Sequence, residues 1–187
     1  MPYLSEADRQ NLLLLARRVL VEVVSRRELP DVIPHDGIFG GRQGVFVTLQ
    51  VRGELRGCIG TTEGYEPLGE AIVRCSASAA LHDPRFPPLR ADELGDLQIE
   101  ISVLSPLTPI RPDEIEIGRH GLVISQGERR GLLLPQVAVE HGLTREQFLE
   151  ETCRKARLPR EAWQSPSTQI QGFTCEVFSG AETSDEQ

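Results

Sequence analysis

Apolar and polar positions recur along the chain with two different periods, and each period predicts a different kind of element. Between residues 12 and 23, apolar residues return every three or four positions, as on one buried helix face. Ser5, with Asp8 three residues later, resembles a capping box and predicts where this helix begins. Residues 66–81 repeat the helical spacing, with Pro67 in the first turn. The inner face of this second helix would carry Leu68, Ala71, Ile72, Cys75 and Ala79.

Strict alternation of apolar and polar residues predicts several β-strands. Residues 45–51, 54–59 and 97–103 alternate in this way, and so does a last strand over 169–178. The stretches "GLVIS" and "GLLLP" flank "QGERR", which predicts a second hairpin, and Thr144 with Gln147 forms another capping box. Strands separated by single helices and hairpins indicate an α+β fold with a mostly antiparallel sheet and packed helices.

The first hairpin has two possible registers, and the side-chain pattern favours one of them. A two-residue loop would pair Leu49 with Arg56, which mixes apolar and charged side chains on one face. A three-residue loop ending at Gly53 pairs Leu49 with Leu55 and keeps the aliphatic residues together. We therefore predict the longer loop, with Val45 opposite Ile59. Arg56 and Cys58 then lie on the opposite face, beside Thr48 and Phe46.

Composition and charge narrow the class of protein. The chain has 187 residues, enough for one domain or two small lobes, and no apolar run of about 18 residues that would span a membrane. The apolar stretch near the start carries charged residues and lacks a cleavage site, so we expect a cytoplasmic protein. A net charge of -8 disfavours binding to nucleic acid or to anionic membranes. The acidic segment 181–187 is expected to be disordered.

One of the four cysteines differs from the others. We predict that Cys75, Cys153 and Cys175 lie on core faces as reduced thiols. Cys58 lies on the polar face two residues from Arg56, whose charge favours the nucleophilic thiolate. Gly57 and Gly60 on either side of it leave room for another backbone or a ligand. The alternative is a structural cysteine beneath a helix, with Arg56 bound to a buried carboxylate.

The segment "HDPRFPP" is a second candidate for chemistry. His82 and Asp83 can act as an acid, a base or an orienting pair, and Arg85 can hold an anion with two hydrogen bonds. Alternatively, Asp83 ends the helix by binding backbone amides, and Arg85 forms a structural ion pair. Glu100 is a candidate partner of Arg56, although such a pair is usually structural. Metal-binding and nucleotide-binding motifs are absent from the sequence, so we predict no metal site.

Several stretches together resemble the AMME-syndrome candidate-gene family, called protein A of the AmmeMemoRadiSam system in microbes. The matching pieces extend from the first helix to "FTCEVF", and "LRGCIGT" is a specific signature among them. The others are "GVFVTL", "DPRFPPL", "DEL", "IEISVLSP", "GRHGL", "RRGLLLPQVAVEHGLT" and "FLEETCRKARLP".

The resemblance implies an α+β fold in a larger and a smaller lobe, within a single AMMECR-type domain over residues 1–180. The smaller lobe would come from the region around 106–140. The resemblance also implies a Memo-like protein and a radical S-adenosylmethionine (SAM) protein as partners. It carries no assigned reaction and names no cofactor. The suspected site of the family is the motif Leu55–Gly60, which adds weight to Cys58.

Two functions remain open from the sequence. In the first, the protein is an enzyme or an enzyme component, in which Cys58 is a nucleophile or redox thiol tuned by Arg56. His82 or Asp83 would then transfer protons. In the second, the same motif shapes a cleft for a small anion or a partner's peptide, without turnover. In either case the predicted ligand-binding residues are Gly57, Gly60, Thr61 and Arg85.

Overall fold

A computed structural model describes residues 3–180, which form an α+β fold as predicted. The helices are α1 (Glu6–Ser25), α2 (Leu68–Leu81), α3 (Pro135–Glu140) and α4 (Arg145–Lys155). The strands are β1 (Val45–Val51), β2 (Glu54–Thr61), β3 (Leu97–Leu104), β4 (Thr108–Pro109), β5 (His120–Gln126), β6 (Arg129–Leu133) and β7 (Gln169–Gly180). All the strand pairs with a described register are antiparallel.

The chain divides into two compact units. The first contains the described residues up to Val103 and those from Glu176 onward, and the second is Leu104–Cys175. The region 106–140, which the sequence analysis assigns to a smaller lobe, lies within the second unit, and this unit continues to Cys175. A single domain over residues 1–180 stays a prediction. The predicted disordered tail, 181–187, lies outside the described residues.

The first unit packs α1 and α2 against the apolar face of its sheet, in which the strand order is β2-β1-β3. The predicted capping box is present, because the Ser5 hydroxyl accepts from the Asp8 amide and the Asp8 carboxylate accepts from the Ser5 amide. The inner face predicted for α2 is confirmed by its burial. The core of this unit includes Leu12, Val19, Leu20, Val45, Val47, Leu49, Leu68, Ile72, Cys75, Ile99 and Ile101.

The loop predicted for the first hairpin is wrong. The turn consists of two residues, Arg52 and Gly53, which both have positive φ angles of 53° and 81°. Leu49 pairs with Gly57 instead of Leu55, and Val45 pairs with Thr61. Two-residue hairpin loops favour positive φ because their backbone twist matches that of the flanking strands. The chain therefore adopts the tighter turn, even though Arg52 carries a side chain there.

Although the predicted loop is wrong, Ile59 and Cys58 lie on the predicted faces of β2, and a β-bulge is the reason. The register shifts beside Leu49, where Arg56 has no partner on β1. One extra residue resets the alternation of a strand. Beyond the bulge, Ile59 therefore shares the apolar face with Val47, and Cys58 lies opposite Thr48 on the polar face.

The second unit has the strand order β7-β5-β6, with β4 on the other side of β7. The predicted hairpin over "QGERR" is confirmed as β5 and β6, and the predicted capping box of Thr144 with Gln147 begins α4. The core of this unit includes Ile115, Leu122, Ile124, Ala138, Phe148, Leu149 and Cys153.

The cysteines follow the prediction except at one position. Cys75 and Cys153 are fully buried, and burial raises the pKa of the Cys75 thiol to about 11. Cys175 is only half-buried, so its assignment to the core is wrong. No disulfide joins the four cysteines, all of which lie in the described part of the chain. No helix within residues 3–180 is long and apolar enough to cross a membrane.

Candidate functional site

Cys58 lies half-buried on the polar face of the first sheet, in the outer strand β2. The Thr48 hydroxyl of β1 donates a hydrogen bond to its sulfur at 3.2 Å. Glu100 of β3 is the next residue in the same row, because it pairs with Thr48 on the other side. This row therefore carries a thiol, a hydroxyl and a carboxyl group across three neighbouring strands.

Asp83 follows the end of α2, and its carboxylate is buried against the backbone of β2. It accepts hydrogen bonds from the Cys58 amide at 2.9 Å and from the Arg85 amide at 3.1 Å. The Arg85 guanidinium adds two more, at 3.0 and 2.8 Å. The hydrogen bonds from the Arg85 side chain, followed by that from the Cys58 amide, hold the pKa of this carboxyl well below its usual range.

Arg85 binds the carbonyl group of Cys58, whereas Asp83 binds its amide. Its Nη2 donates to the Cys58 carbonyl at 3.3 Å, and its guanidinium carbon lies 5.4 Å from the centre of the Phe86 ring. Asp83 and Arg85 together therefore bind both backbone groups of Cys58 that the outer strand would leave unpaired. The Arg85 side chain remains 54% exposed, so it can still meet a ligand.

Arg56 has a different partner from the one suggested by the sequence. Its Nε and Nη2 each donate to the Glu93 carboxylate at 2.7 Å, and its Nη1 donates to the Pro87 carbonyl at 2.9 Å. The side chains of Arg56 and Glu93 are only 15% and 19% exposed. The Arg56 hydrogen bonds lower the pKa of Glu93, and Glu93 raises the pKa of Arg56. Arg56 therefore ties the bulge of β2 to the segment after α2, and Glu100 is not its partner.

The glycines of the motif are enclosed by neighbouring groups. A Cβ added at Gly57 would lie 2.1 Å from the Ala79 carbonyl of α2, and one added at Gly60 would lie 2.3 Å from the Phe46 ring. The Thr61 hydroxyl donates to the Glu63 carbonyl at 3.1 Å. Packing therefore explains both glycines, and their role in ligand binding stays a prediction. Of the predicted ligand-binding residues, Arg85 has the most exposed polar group.

Comparison with known proteins identifies the family. A model of the AMMECR1 family matches residues 13–178. This chain belongs to the AMMECR1 family. A protein of Methanothermobacter thermautotrophicus is 42% identical over 185 residues, covering 94% of this chain and 95% of the relative. Protein TK0174 of Thermococcus kodakarensis is 43% identical over 178 residues, covering 88% and 86%.

A solved structure of the AMMECR1 family has a similar fold. The crystal structure of an uncharacterized protein, PH0010 from Pyrococcus horikoshii, aligns with a TM-score of 0.68 at 40% identity. The alignment covers 90% of this chain and 89% of that one. This chain and PH0010 therefore share the α+β fold with antiparallel strands and packed helices.

His82, the remaining candidate catalytic residue, lies in a different environment from Cys58 and Asp83. His82 is the C-cap of α2 and lines a cavity of about 520 Å³ beside α1, which neither Cys58 nor Asp83 lines. Within residues 3–180, no cluster of three or more His, Cys, Asp or Glu side chains could hold a metal ion.

Sequence reasoning names Thr48 only as a neighbour of Cys58 and misses Glu93. Glu93 lies in the turn Ala91–Asp96, which the sequence pattern does not connect with β2. Its position in the matching piece "DEL", just after "DPRFPPL", is the only local signal that could have drawn attention to it.

Proposed function

We propose that this AMMECR1-family chain is a non-catalytic binding module. Its recognition surface would be the Cys58 surface, which we define as Thr48, Cys58, Arg85 and Glu100. The proposal rests on the hydrogen bonds of Arg56 and Asp83, the two charged residues that a thiol enzyme would need beside Cys58. Both side chains are already engaged in contacts that hold the fold together. Arg56 is held by Glu93, and the Asp83 carboxylate is held by the Cys58 amide and Arg85. A carboxylate with such a lowered pKa is a poor general base near neutral pH.

The ligand that suits this surface is a small anion or a peptide with a carboxylate. Asp83 and the Cys58 carbonyl use the Nε and Nη2 groups of Arg85, so Nη1 is the group of this exposed side chain that is left to donate to a carboxylate. Asp83 orients Arg85 with two hydrogen bonds of its own, so little side-chain entropy is lost on binding. We further propose that the partners supplying this peptide are a Memo-like protein and a radical SAM protein, as the family resemblance implies.

A second function is supported by one contact. The Thr48 hydroxyl donates a hydrogen bond to the sulfur of a half-exposed cysteine, which is the kind of polar contact that a sulfur nucleophile has in an active site. In this alternative, Cys58 is a nucleophile or a redox thiol of an enzyme. Its tuning would come from Thr48 and Arg85 and not from Arg56, which is bound to Glu93.

Alkylation kinetics separate the two functions. The rate of Cys58 alkylation is measured against pH for the wild type, Arg56→Met and Thr48→Val. In a binding module, Arg56→Met and Thr48→Val leave the dependence of the alkylation rate on pH unchanged. A profile that Thr48→Val moves to higher pH, while Arg56→Met does not, would favour the enzyme.

Binding is tested directly with the two proposed partners. Titration calorimetry with purified Memo-like and radical SAM proteins compares the wild type with Arg85→Met. We expect affinity to fall at least about fivefold, as is typical when a charged hydrogen bond is lost. Arg90→Met is the matched control, because Arg90 is also exposed and paired with the nearby Asp92, but belongs to no part of the Cys58 surface. Equal losses in both variants, or no binding by the wild type, would contradict the proposal.

A further inference from the structure

The cavity that His82 lines in the first unit has the properties of a small-molecule site. It has a volume of about 520 Å³ and lies beside α1, α2 and the segment that follows α1. This size is in the range of known ligand pockets, which are mostly apolar with a few polar groups. None of the residues of the Cys58 surface lines it. Its apolar walls are formed by Val23, Leu29, Ile33, Val73, Ala77 and Leu81.

The charged groups around this cavity are not equally available to a ligand. Arg74 donates to Glu66 at 2.7 Å. Glu70 lies 3.9 Å from the Nδ1 atom of His35. Arg27 is exposed and forms no ion pair or side-chain hydrogen bond with any other described residue. Glu28 and His82 line the cavity as well, and Arg27 is the arginine there whose guanidinium donors are not taken by another described residue.

The backbone at Arg27 is the second unusual feature. Arg27 follows the C-cap of α1, Arg26, and has a φ angle of 62°. This left-handed conformation is the usual place for a glycine after a helix, because a side chain there costs conformational energy. Fold stability alone would therefore favour glycine. Arg52 and Arg157 share this conformation, so the backbone alone does not distinguish Arg27. What distinguishes Arg27 is that it lines an apolar cavity without an ion-pair partner among the described residues.

We propose that this cavity binds a small amphipathic carboxylate. The apolar chain would occupy the space between Val73, Ala77 and Ile33, where it is removed from water. The carboxylate would pair with the guanidinium of Arg27, which matches its geometry with two parallel hydrogen bonds. This site is separate from the Cys58 surface, so either proposal can fail without the other.

The first experiment locates the site on the wild-type protein. Decanoate is titrated into isotope-labelled full-length protein while the backbone amide NMR signals are followed. We expect saturable shifts at Val73, Ala77 and Leu81, and small ones in the second unit. Shifts that do not saturate, or that centre on Cys58 or on the second unit, would overturn the proposal.

The second experiment tests the carboxylate partner. Arg27→Gln should weaken decanoate binding about tenfold, as for a lost charged hydrogen bond, and leave decanol binding unchanged. Arg26→Gln is the matched control and should change neither. Decanoate binding that is insensitive to Arg27→Gln, or decylamine binding more tightly than decanoate, would overturn the assignment of Arg27 to a carboxylate.

The third experiment separates binding from stability. Arg27→Gly removes the side chain but suits the left-handed backbone. We expect the same loss of decanoate affinity as in Arg27→Gln, with a melting temperature equal to or above that of the wild type. Decanoate affinity equal to that of the wild type would overturn the role of Arg27 as a ligand-binding residue.

Discussion

The two units contain the same local arrangement of a hairpin and a helix. In the first, the Ala79 carbonyl near the end of α2 lies against Gly57 of β2. In the second, the Ala156 amide at the end of α4 lies against Gly131 of β6, where an added Cβ would approach it to 2.3 Å. In both units a glycine in the second strand of a hairpin therefore lets the helix backbone approach the sheet.

A second pair of glycines extends the likeness. Gly60 pairs with Phe46 across the first hairpin, and Gly121 pairs with Phe173 in the second unit. In each pair the phenyl ring fills the space that a side chain would need, since an added Cβ would lie 2.3 or 2.1 Å from the ring. The aromatic ring covers backbone that the glycine would otherwise leave open to water.

The units differ in the segment that follows the helix. After α2, the buried carboxylate of Asp83 binds the strand backbone and an arginine. After α4, the Arg157 carbonyl accepts a hydrogen bond from the exposed Arg129 at 3.0 Å. A carbonyl can stabilise the helix end but cannot orient a cation as a carboxylate does. The comparison therefore indicates that helix packing alone does not require Asp83 and Arg85, which supports a binding role for this pair.

The largest loss of stability should come from removing the phenyl rings that cover Gly121 and Gly60. Phe173 is only 2% exposed, so Phe173→Ala should lower the free energy of unfolding by about 3–5 kcal/mol. Phe46→Ala should cost roughly half as much, because Phe46 is partly exposed and leaves a smaller cavity. Urea unfolding measures both, with the exposed Tyr65→Ala as the control. A greater loss from Phe46→Ala would break the comparison.

The packing glycines should give the next largest effect. Gly57→Ala and Gly131→Ala should each destabilise the protein by about 2–3 kcal/mol, because the new methyl group must displace helix backbone. Gly95→Ala is the control, since nothing lies within 4 Å of its added Cβ. Thermal unfolding of the three variants tests the likeness. If one of the two glycines tolerates alanine as well as Gly95 does, the two helix contacts are not equivalent.

Local signals account for the part of this fold that can be predicted from sequence. The capping boxes at Ser5 and Thr144 and the alternation in β3 depend on residues a few positions apart. The hairpin loop could not be predicted, because the bulge at Arg56 absorbs one residue and alternation does not reveal it. Cys175 alternates with the buried Phe173, but Val177 on the same side is 57% exposed, so one face of a long strand need not be buried throughout.

The candidate site could be predicted only in part. Cys58 and "HDPRFPP" contain unusual residue types, and the structure brings Cys58, Asp83 and Arg85 together. The pairing of Arg56 with Glu93 joins residues 37 positions apart, and no local pattern selects Glu93 from the many acidic residues of the chain. The environment of a charged side chain depends on such distant contacts, which is why the roles of Arg56 and Asp83 could not be read from their types.

The acid limb of the stability curve tests the difference between the units. The pKa of Asp83 is lower in the folded protein than its unfolded value of about 3.9, so its contribution is complete above that pH. As the pH falls towards the folded pKa, the unfolded state binds a proton that the folded state does not, and stability is lost. Asp83→Asn should therefore be less stable than the wild type at pH 7 and lose less stability below pH ~4.

We expect this effect to be smaller than those of the packing glycines, because solvent screens the half-exposed Arg85. The measurement is urea unfolding at a series of pH values. Asp113→Asn, which changes an exposed carboxylate of the second unit, is the control. Parallel acid limbs for the wild type and Asp83→Asn would contradict a strongly bound carboxylate.

The turns of the two hairpins should show the smallest effect, with opposite signs. Gly127 has a φ angle of 60° in the second hairpin, so Gly127→Ala should cost about 1 kcal/mol of unfolding free energy. In the first hairpin, Arg52 already has a side chain at a φ angle of 53°, so Arg52→Gly should raise stability. The gain should be modest, because the substitution also removes the exposed ion pair with Asp96 and makes the unfolded chain more flexible. Unfolding midpoints in urea should show the gain from Arg52→Gly most clearly at high salt, because the ion pair is screened there. A loss of stability at high salt would mean that the Arg52 side chain supports the turn.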